Sequence, residues 1–124
     1  MDGTLVAATD VNPDPVGRAS PIVVRIYQLR STVKFGNASF FALYDDAATT
    51  LGADMIGFEE FTLRPGQTVN QQATFDPAAK HIGIVAAFRD INSAQWRSEL
   101  DIPKEPDRLK VTLEKLSVSA AFED

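Results

Sequence analysis

Hydrophobic residues recur along most of this chain with the two-residue period of β-strands. The clearest alternation runs over residues 22–29, which are mainly β-branched, and over residues 108–113. The same period marks residues 5–11, 58–63, 68–75, 81–89 and 118–122. Residues 81–89 are apolar on both faces and therefore predict a strand in the middle of its sheet. These segments, separated by turn signals, predict about seven or eight short strands.

Proline and glycine mark the connections between the predicted strands. Arg64-Pro65-Gly66-Gln67 has the residues that a type II turn favours, and it predicts a hairpin between residues 58–63 and 68–75. Residues 76–80 form a second predicted turn, and Pro103 and Pro106 interrupt the chain before the last two strands. Turns at this spacing are typical of β-sandwiches.

One segment has a helical period instead. Its apolar residues are spaced three and four apart and comprise Phe40, Leu43, Tyr44, Ala47 and Leu51. Asn37 or Ser39 is suited to accept the free amides at the start of this helix, and Gly52 to adopt a left-handed conformation past its end. Residues 90–97 have room for one further helical turn that presents Trp96. These elements predict a mainly all-β, two-layer antiparallel β-sandwich with a short helical insertion.

Composition is consistent with one globular domain over residues 1–124. The 124 residues are 44% hydrophobic and 23% charged, which is enough to bury one core. Acidic residues outnumber basic ones 17 to 12, and the resulting charge of −5 argues against nucleic acid as a partner. Zero cysteines exclude disulfides and thiol catalysis, and no apolar run approaches the ~20 residues of a membrane span.

The sequence offers few residues for chemistry. His81 is the only histidine, so we expect a strand-end residue instead of a metal site or a catalytic triad. The acidic pairs Asp45-Asp46 and Glu59-Glu60 are interpreted as solvated charge, because neighbours in sequence point in different directions. We expect no catalytic residue, no metal, no cofactor and no small-molecule substrate. The chain is therefore not expected to be an enzyme.

Residues 12–21, the proline-rich loop, are the feature that stands out. Pro13, Pro15 and Pro21 restrict the backbone, and we expect the loop to be exposed and semi-rigid. A loop that is already stiff loses less entropy on binding, which suits it to protein recognition. Physics alone leaves a passive solvent loop as the equal alternative.

Several stretches, in order along most of the chain, resemble one family. They are Val11-Asn12-Pro13-Asp14-Pro15 with Gly17-Arg18, Ser20-Pro21-Ile22-Val23-Val24-Arg25-Ile26-Tyr27-Gln28-Leu29, Phe40-Phe41-Ala42-Leu43-Tyr44-Asp45-Asp46, Leu63-Arg64-Pro65-Gly66, Ile84-Val85-Ala86-Ala87-Phe88-Arg89-Asp90 and Ala94-Gln95-Trp96-Arg97. Together they resemble the TssJ family, also called SciN or VasD, the outer-membrane lipoprotein of type VI secretion systems.

The resemblance implies a transthyretin-like β-sandwich held to the periplasmic face of the outer membrane by an N-terminal lipid. In that family the loop between the first two strands binds the periplasmic C-terminal domain of TssM, within a complex of TssJ, TssL and TssM. The residues that this implies for partner binding here are Asn12, Pro13, Asp14, Pro15, Val16, Gly17, Arg18, Ala19 and Ser20. A signal peptide and a lipid-bearing cysteine do not occur in residues 1–124, so we expect the mature domain without its anchor and Met1 as an addition.

Other interpretations are an enzyme of the transthyretin-like hydrolase type, a carbohydrate-binding module that uses Trp96 and Tyr44, and a protein-binding module of another periplasmic system. Such a hydrolase requires several histidines with arginine at one cleft, and this chain has one histidine. For Trp96, with Arg89 and Arg97 nearby, the sequence allows either a stacking platform for sugars or bases, or a half-buried indole that closes one end of the sandwich.

Overall fold

The computed structural model of the chain describes residues 2–123. Within these residues it contains eight strands and three short α-helices. The strands are β1 (Asp2–Ala7), β2 (Ile22–Leu29), β3 (Met55–Leu63), β4 (Thr68–Gln72), β5 (His81–Ala86), β6 (Arg97–Asp101), β7 (Arg108–Leu113) and β8 (Val118–Glu123). The helices, α1 (Val33–Asn37), α2 (Phe40–Asp45) and α3 (Ala47–Leu51), lie between β2 and β3, and a 3-10 turn over Gly52–Asp54 follows them.

The strands form two packed sheets, which confirms the predicted sandwich with a helical insertion. Across residues 2–123, the first sheet has the order β4-β1-β7-β8 and the second the order β3-β2-β5-β6. The expectation of purely antiparallel sheets is wrong at one place, because β1 and β7 pair in parallel from Asp2–Arg108 to Ala7–Leu113. These strands are distant in sequence, so no tight turn fixes their relative direction.

The main core lies between the two sheets. It is built from alternate residues of the strands, which are buried while their neighbours are exposed or partly exposed. The strand residues of this core are Leu5, Ala7, Ile22, Val24, Leu63, Ile82, Ile84, Ala86, Leu109, Val111, Leu113 and Val118. Strand β5 lies between β2 and β6, as predicted, and is buried on both faces from Ile82 to Ala86.

The predicted hairpin between residues 58–63 and 68–75 is wrong, although its turn is present. The amide of Gln67 donates to the carbonyl of Arg64 at 2.9 Å, and Gly66 has the positive φ of 79° that a type II turn requires. Strand β3 then pairs with β2, whereas β4 pairs with β1 in the other sheet. Alternation predicts which residues share a face, but the neighbouring strand is decided by the packing of the whole molecule.

The predicted helix is two helices, since Asp46 leaves the helical region with φ −143° and ψ 44°. Ser39 caps the start of α2, where its Oγ accepts from the amide of Ala42 at 3.2 Å. Gly52 follows α3 with a positive φ of 53°, as expected, but its ψ of −129° lies outside the left-handed helical region. Helix α1 was not predicted, and its residue Phe35 is fully buried.

Side chains of the second sheet hold the insertion against the outer face of that sheet. The hydroxyl of Tyr27 donates to the carbonyl of Leu43 at 2.9 Å, and Nη1 of Arg25 donates to the carbonyl of Tyr44 at 2.6 Å. Nη1 of Arg97 donates to the carbonyls of Phe35 and Ala38, both at 2.8 Å. Carbonyls at and just past the C-terminal ends of α1 and α2 therefore receive donors from β2 and β6.

The strand directions place four connections at one end of the sandwich, which we call the loop end. They are the connections β1–β2, β3–β4, β5–β6 and β7–β8. Hydrogen bonds join residues 7–12 to the others, from Ala7 to Gln67, from the Arg89 amide to Asn12 and from Asn12 to Lys115. Asp2, the first residue of β1, lies at the opposite end.

Candidate protein-binding site at the loop end

The proline-rich loop is closed at its base by two hydrogen bonds. The amide of Ser20 donates to the carbonyl of Val11 at 3.1 Å, and Nδ2 of Asn12 donates to the carbonyl of Pro21 at 2.9 Å. These bonds bring the entering and leaving backbone together just before β2 begins. The loop is therefore a closed structure on the surface, with its geometry fixed where it leaves the sandwich.

Asp14 organises the apex of the loop. Its Oδ1 accepts from the amides of Val16 at 3.0 Å and Arg18 at 2.8 Å. Its own amide donates to the carbonyl of Arg18 at 2.8 Å, and its carbonyl accepts from the amide of Gly17 at 2.9 Å. Gly17 has φ 86°, a conformation that glycine adopts without steric cost. The amides of Asp14, Val16, Gly17 and Arg18 are thus bonded within the loop, which restrains the apex.

The apex presents an apolar residue to solvent. Residues 15–18 are exposed, and Val16 exposes 80% of its surface, more than any other large hydrophobic residue of the described chain. Pro13, Asp14, Ala19 and Ser20 are partly buried. An exposed apolar residue on a rigid loop has the character of an anchor for a protein partner. Its burial releases water from the apolar surface, and the rigid loop loses little conformational entropy on binding.

Asn12 does not fit the expected exposed loop. It is only 2% exposed, and its Oδ1 accepts from the amide of Arg89 at 2.7 Å. Its backbone has φ 52°, a conformation that asparagine tolerates better than most residues. The expectation that residues 12–21 are exposed is therefore wrong at Asn12, whose side chain is buried and forms its hydrogen bonds within the molecule. The Asn-Pro pair was the sequence signal for an unusual backbone here.

Arg89 and Asp90 lie beside the loop, and sequence reasoning did not assign them to it. Both are exposed residues of the β5–β6 connection. With Pro13, Asp14 and Pro15 they line a shallow surface cleft. The β5–β6 connection therefore forms the second wall of the candidate site.

The structure places the other candidate groups away from the loop. His81 begins β5, and its Nδ1 lies 2.6 Å from Oδ1 of Asp101 on β6. Glu60 forms an ion pair with Arg25, in which Oε1 of Glu60 lies 2.8 Å from Nε of Arg25.

Among residues 2–123, no three side chains of the metal-ligating kinds come together. None of the helices found in the described part of the chain has the length and apolar character of a membrane span.

The ring faces of Trp96 and Tyr44, on which a sugar would stack, are already in contact with other side chains. The guanidinium of Arg97 lies 4.4 Å from the ring centroid of Trp96, and that of Arg25 lies 4.1 Å from the centroid of Tyr44. Phe40 also stacks on Tyr44 at 5.2 Å, with 15° between the ring planes. Trp96 is partly buried and packs both against the main core and against a second cluster, which includes Tyr27, Phe35 and Leu43. This confirms the half-buried interpretation of its indole.

Fold and site together define a class: two-layer β-sandwiches with a helical insertion after the second strand and a braced loop between the first two. Residues 1–117 match the family model described as "Type VI secretion lipoprotein, VasD, EvfM, TssJ, VC_A0113". The chain therefore belongs to the TssJ family of type VI secretion lipoproteins, and the resemblance seen in the sequence is confirmed. In a comparison with curated proteins, none matches.

Solved structures agree with the family. The T6SS lipoprotein TssJ1 from Pseudomonas aeruginosa is 37% identical, with a TM-score of 0.94 over 99% of this chain and 95% of that chain. A chain of a structure described as "Type VI membrane complex" is 27% identical, with a TM-score of 0.87 over 98% of this chain and 96% of that one. A chain of a structure described as "T6SS protein TssM C-terminal domain (869-1107) from EAEC" is 27% identical, with a TM-score of 0.85 over 98% and 99%.

Proposed function

We propose that this chain is a non-catalytic assembly component of a type VI secretion membrane complex, and that residues 12–20 bind the periplasmic C-terminal domain of TssM. In this proposal Asn12 shapes the loop, and the exposed residues 15–18 make the contacts. The complex also contains TssL, and a lipid on the N-terminal side of β1 holds the domain at the periplasmic face of the outer membrane.

The observation that carries the proposal is the exposed apex of an internally braced loop. Val16 exposes 80% of its surface, while the amides of Val16 and Arg18 are both held by the carboxylate of Asp14. A flexible loop would lose conformational entropy on docking, whereas this one has already lost much of it on folding. The apex therefore combines an apolar anchor with a low ordering cost, as binding sites in pre-organised complexes do.

The comparisons support the choice of partner. Chains similar to this one over nearly their whole length occur in structures described as a type VI membrane complex and as the TssM C-terminal domain. Family membership makes the same kind of assembly the expected setting for this chain.

The position of β1 supports the proposed orientation. Asp2 begins β1 at the end opposite the loop, and β1 is six residues long. At about 3.3 Å per residue, the strand separates its two ends by roughly 20 Å. An anchor attached before β1 would hold that end at the membrane and point the loop end toward the periplasm, where TssM would reach it.

Replacement of Val16 by Asp tests the proposal. Because Val16→Asp places a charge where an apolar residue would be buried, we expect its affinity for the TssM C-terminal domain to fall at least about tenfold, the effect typical of a central contact residue. Combined replacement of Asp14 and Arg18 by Ala, which removes the bracing carboxylate and an exposed guanidinium of the apex, is expected to weaken binding as well. Affinities are measured by calorimetry, and circular dichroism checks that each variant is folded.

Val33→Asp is the matched control, since Val33 is 67% exposed but lies on α1, outside the loop end. It is expected to bind like the parent chain. Unchanged affinity of both loop variants would contradict the assignment of the loop as the binding site.

A further inference from the structure

We propose that the partner-binding surface extends from the proline-rich loop onto the β5–β6 connection, where Arg89 contacts the partner and Asn12 acts as a positioning residue that fixes Arg89 beside the loop. This inference rests on the proposed function and deepens it. The occupant is the same protein partner, which offers acceptor oxygens, above all a carboxylate, to the guanidinium of Arg89.

The size of the loop is the first reason. A stable interface of standard size uses about 20–30 residues from each partner. The loop exposes only residues 15–18 fully and leaves its flanks partly buried. Neighbouring surface must therefore take part, and the adjacent surface that shares a cleft with the loop carries Arg89 and Asp90.

The state of Arg89 is the second reason. Its side chain is exposed, and within residues 2–123 it belongs to no ion pair. By contrast, Arg25 and Arg97 use their guanidinium groups inside the molecule. Arg89 thus presents several donors of fixed geometry in the cleft that Pro15 shares, one residue before the apolar Val16, and arginine is the residue most suited to paired recognition of a carboxylate. The neighbouring Pro13 and Pro15 form stiff walls to the same cleft.

Asn12 is the third reason, because it joins three connections of the loop end. Its Oδ1 accepts from the amide of Arg89 at 2.7 Å, its Nδ2 donates to the carbonyl of Pro21 at 2.9 Å, and its amide donates to the carbonyl of Lys115 at 3.0 Å. Asn12 is buried, so a lost partner would leave an unsatisfied polar group away from water. Through these bonds the position of the Arg89 backbone is set by the base of the loop.

Arg89→Ala tests the contact, with Arg108→Ala as the matched control. Arg108 is also an exposed arginine, but it begins β7 at the end opposite the loop. We expect Arg89→Ala to weaken binding of the TssM C-terminal domain about tenfold or more, measured by calorimetry, and Arg108→Ala to leave it within about twofold.

Asn12→Gly tests the positioning role, since glycine keeps the positive φ and removes only the side chain. We expect faster hydrogen exchange at the amide of Arg89 and binding weakened roughly fivefold. Because Asn12 acts partly through Arg89 and partly on the base of the loop, the double variant is expected to bind more weakly than Arg89→Ala alone, but to lose less affinity than the product of the two single effects. A purely structural effect of Asn12 would give the full product.

The outcomes separate this inference from the proposed function. If Val16→Asp loses binding while Arg89→Ala binds like the parent, the composite surface is wrong and the loop assignment stands. If the effects of Asn12→Gly and Arg89→Ala multiply fully, the positioning role is wrong. If the parent chain does not bind the TssM domain at all, both the proposed function and this inference are overturned.

Discussion

Among the glycines, Gly83 has the least room for a side chain. A Cβ built on it would lie 2.6 Å from Cε2 and 2.7 Å from Cζ of Phe35. Phe35 is fully buried and anchors helix α1 on the outer face of β5. The close approach of a ring to the backbone of a central strand thus fixes where the insertion lies, and only glycine permits it.

Gly83→Ala is therefore expected to lower the free energy of unfolding by about 1–3 kcal/mol, the usual cost of overpacking a core. Gly57→Ala in β3 is the matched control, because its added Cβ would meet nothing within 4 Å. For Gly57→Ala we expect no loss, since the same substitution in open space stabilises by up to about 1 kcal/mol. Urea unfolding measures both variants, and equal losses at the two positions would contradict the packing argument.

The helical insertion is joined to the second sheet by polar contacts as well as by Phe35. Tyr27 is fully buried and donates its hydroxyl proton to the carbonyl of Leu43 at the end of α2. Burial raises the pKa of Tyr27 above its ordinary value of 10.0, and the hydrogen bond with Arg25 opposes that rise in part. The neutral hydroxyl is therefore the form that holds the insertion in place.

This pKa predicts a loss of stability in alkali. The unfolded chain releases the Tyr27 proton near pH 10, while the folded chain retains it to higher pH. The contribution of Tyr27 to the free energy of unfolding is thus complete below about pH 10 and is lost as the pH rises through the higher pKa of the folded state.

Tyr27→Phe is expected to cost about 1 kcal/mol at neutral pH, because the carbonyl of Leu43 loses its donor. Its unfolding free energy, measured by urea unfolding, is expected to fall less steeply above about pH 10 than that of the parent. An identical slope would contradict this account.

At the scale of the whole molecule, the strand order separates two ends with different surroundings. The loop end gathers four connections, and hydrogen bonds from residues 7–12 link the β1–β2 connection to the other three. The opposite end carries Asp2 and the connections β4–β5 and β6–β7, and the helical insertion between β2 and β3 starts and ends there. In our proposal this polarity lets one domain face the membrane at one end and its protein partner at the other.

The sequence predicts this architecture where the signal is local. Residues 22–29 and 108–113 form strands with the predicted bounds, because alternation records directly which side chains face the core. Strand β6, with the sequence RSELD, was not predicted, because it has no β-branched residue and is a strand through its pairing with β5. The first strand ends at Ala7 instead of residue 11, where the chain turns toward the loop.

The candidate site, too, could be predicted from the sequence only where its signal is local. Three prolines mark the loop in the sequence, and their effect on the backbone is local. The contact between Asn12 and Arg89 joins residues 77 positions apart, so no local pattern predicts the burial of Asn12 or the place of Arg89. The family resemblance indicated the loop, while the second wall of the cleft required the fold.

Hydrogen exchange of the chain, alone and with the TssM C-terminal domain, tests the central claim most directly. We predict that the TssM domain slows exchange in residues 14–20 and 89–94 at the loop end, and leaves residues 73–80 and 102–107 at the opposite end unchanged. Slower exchange confined to the opposite end, with no change in the proline-rich loop, would contradict the account.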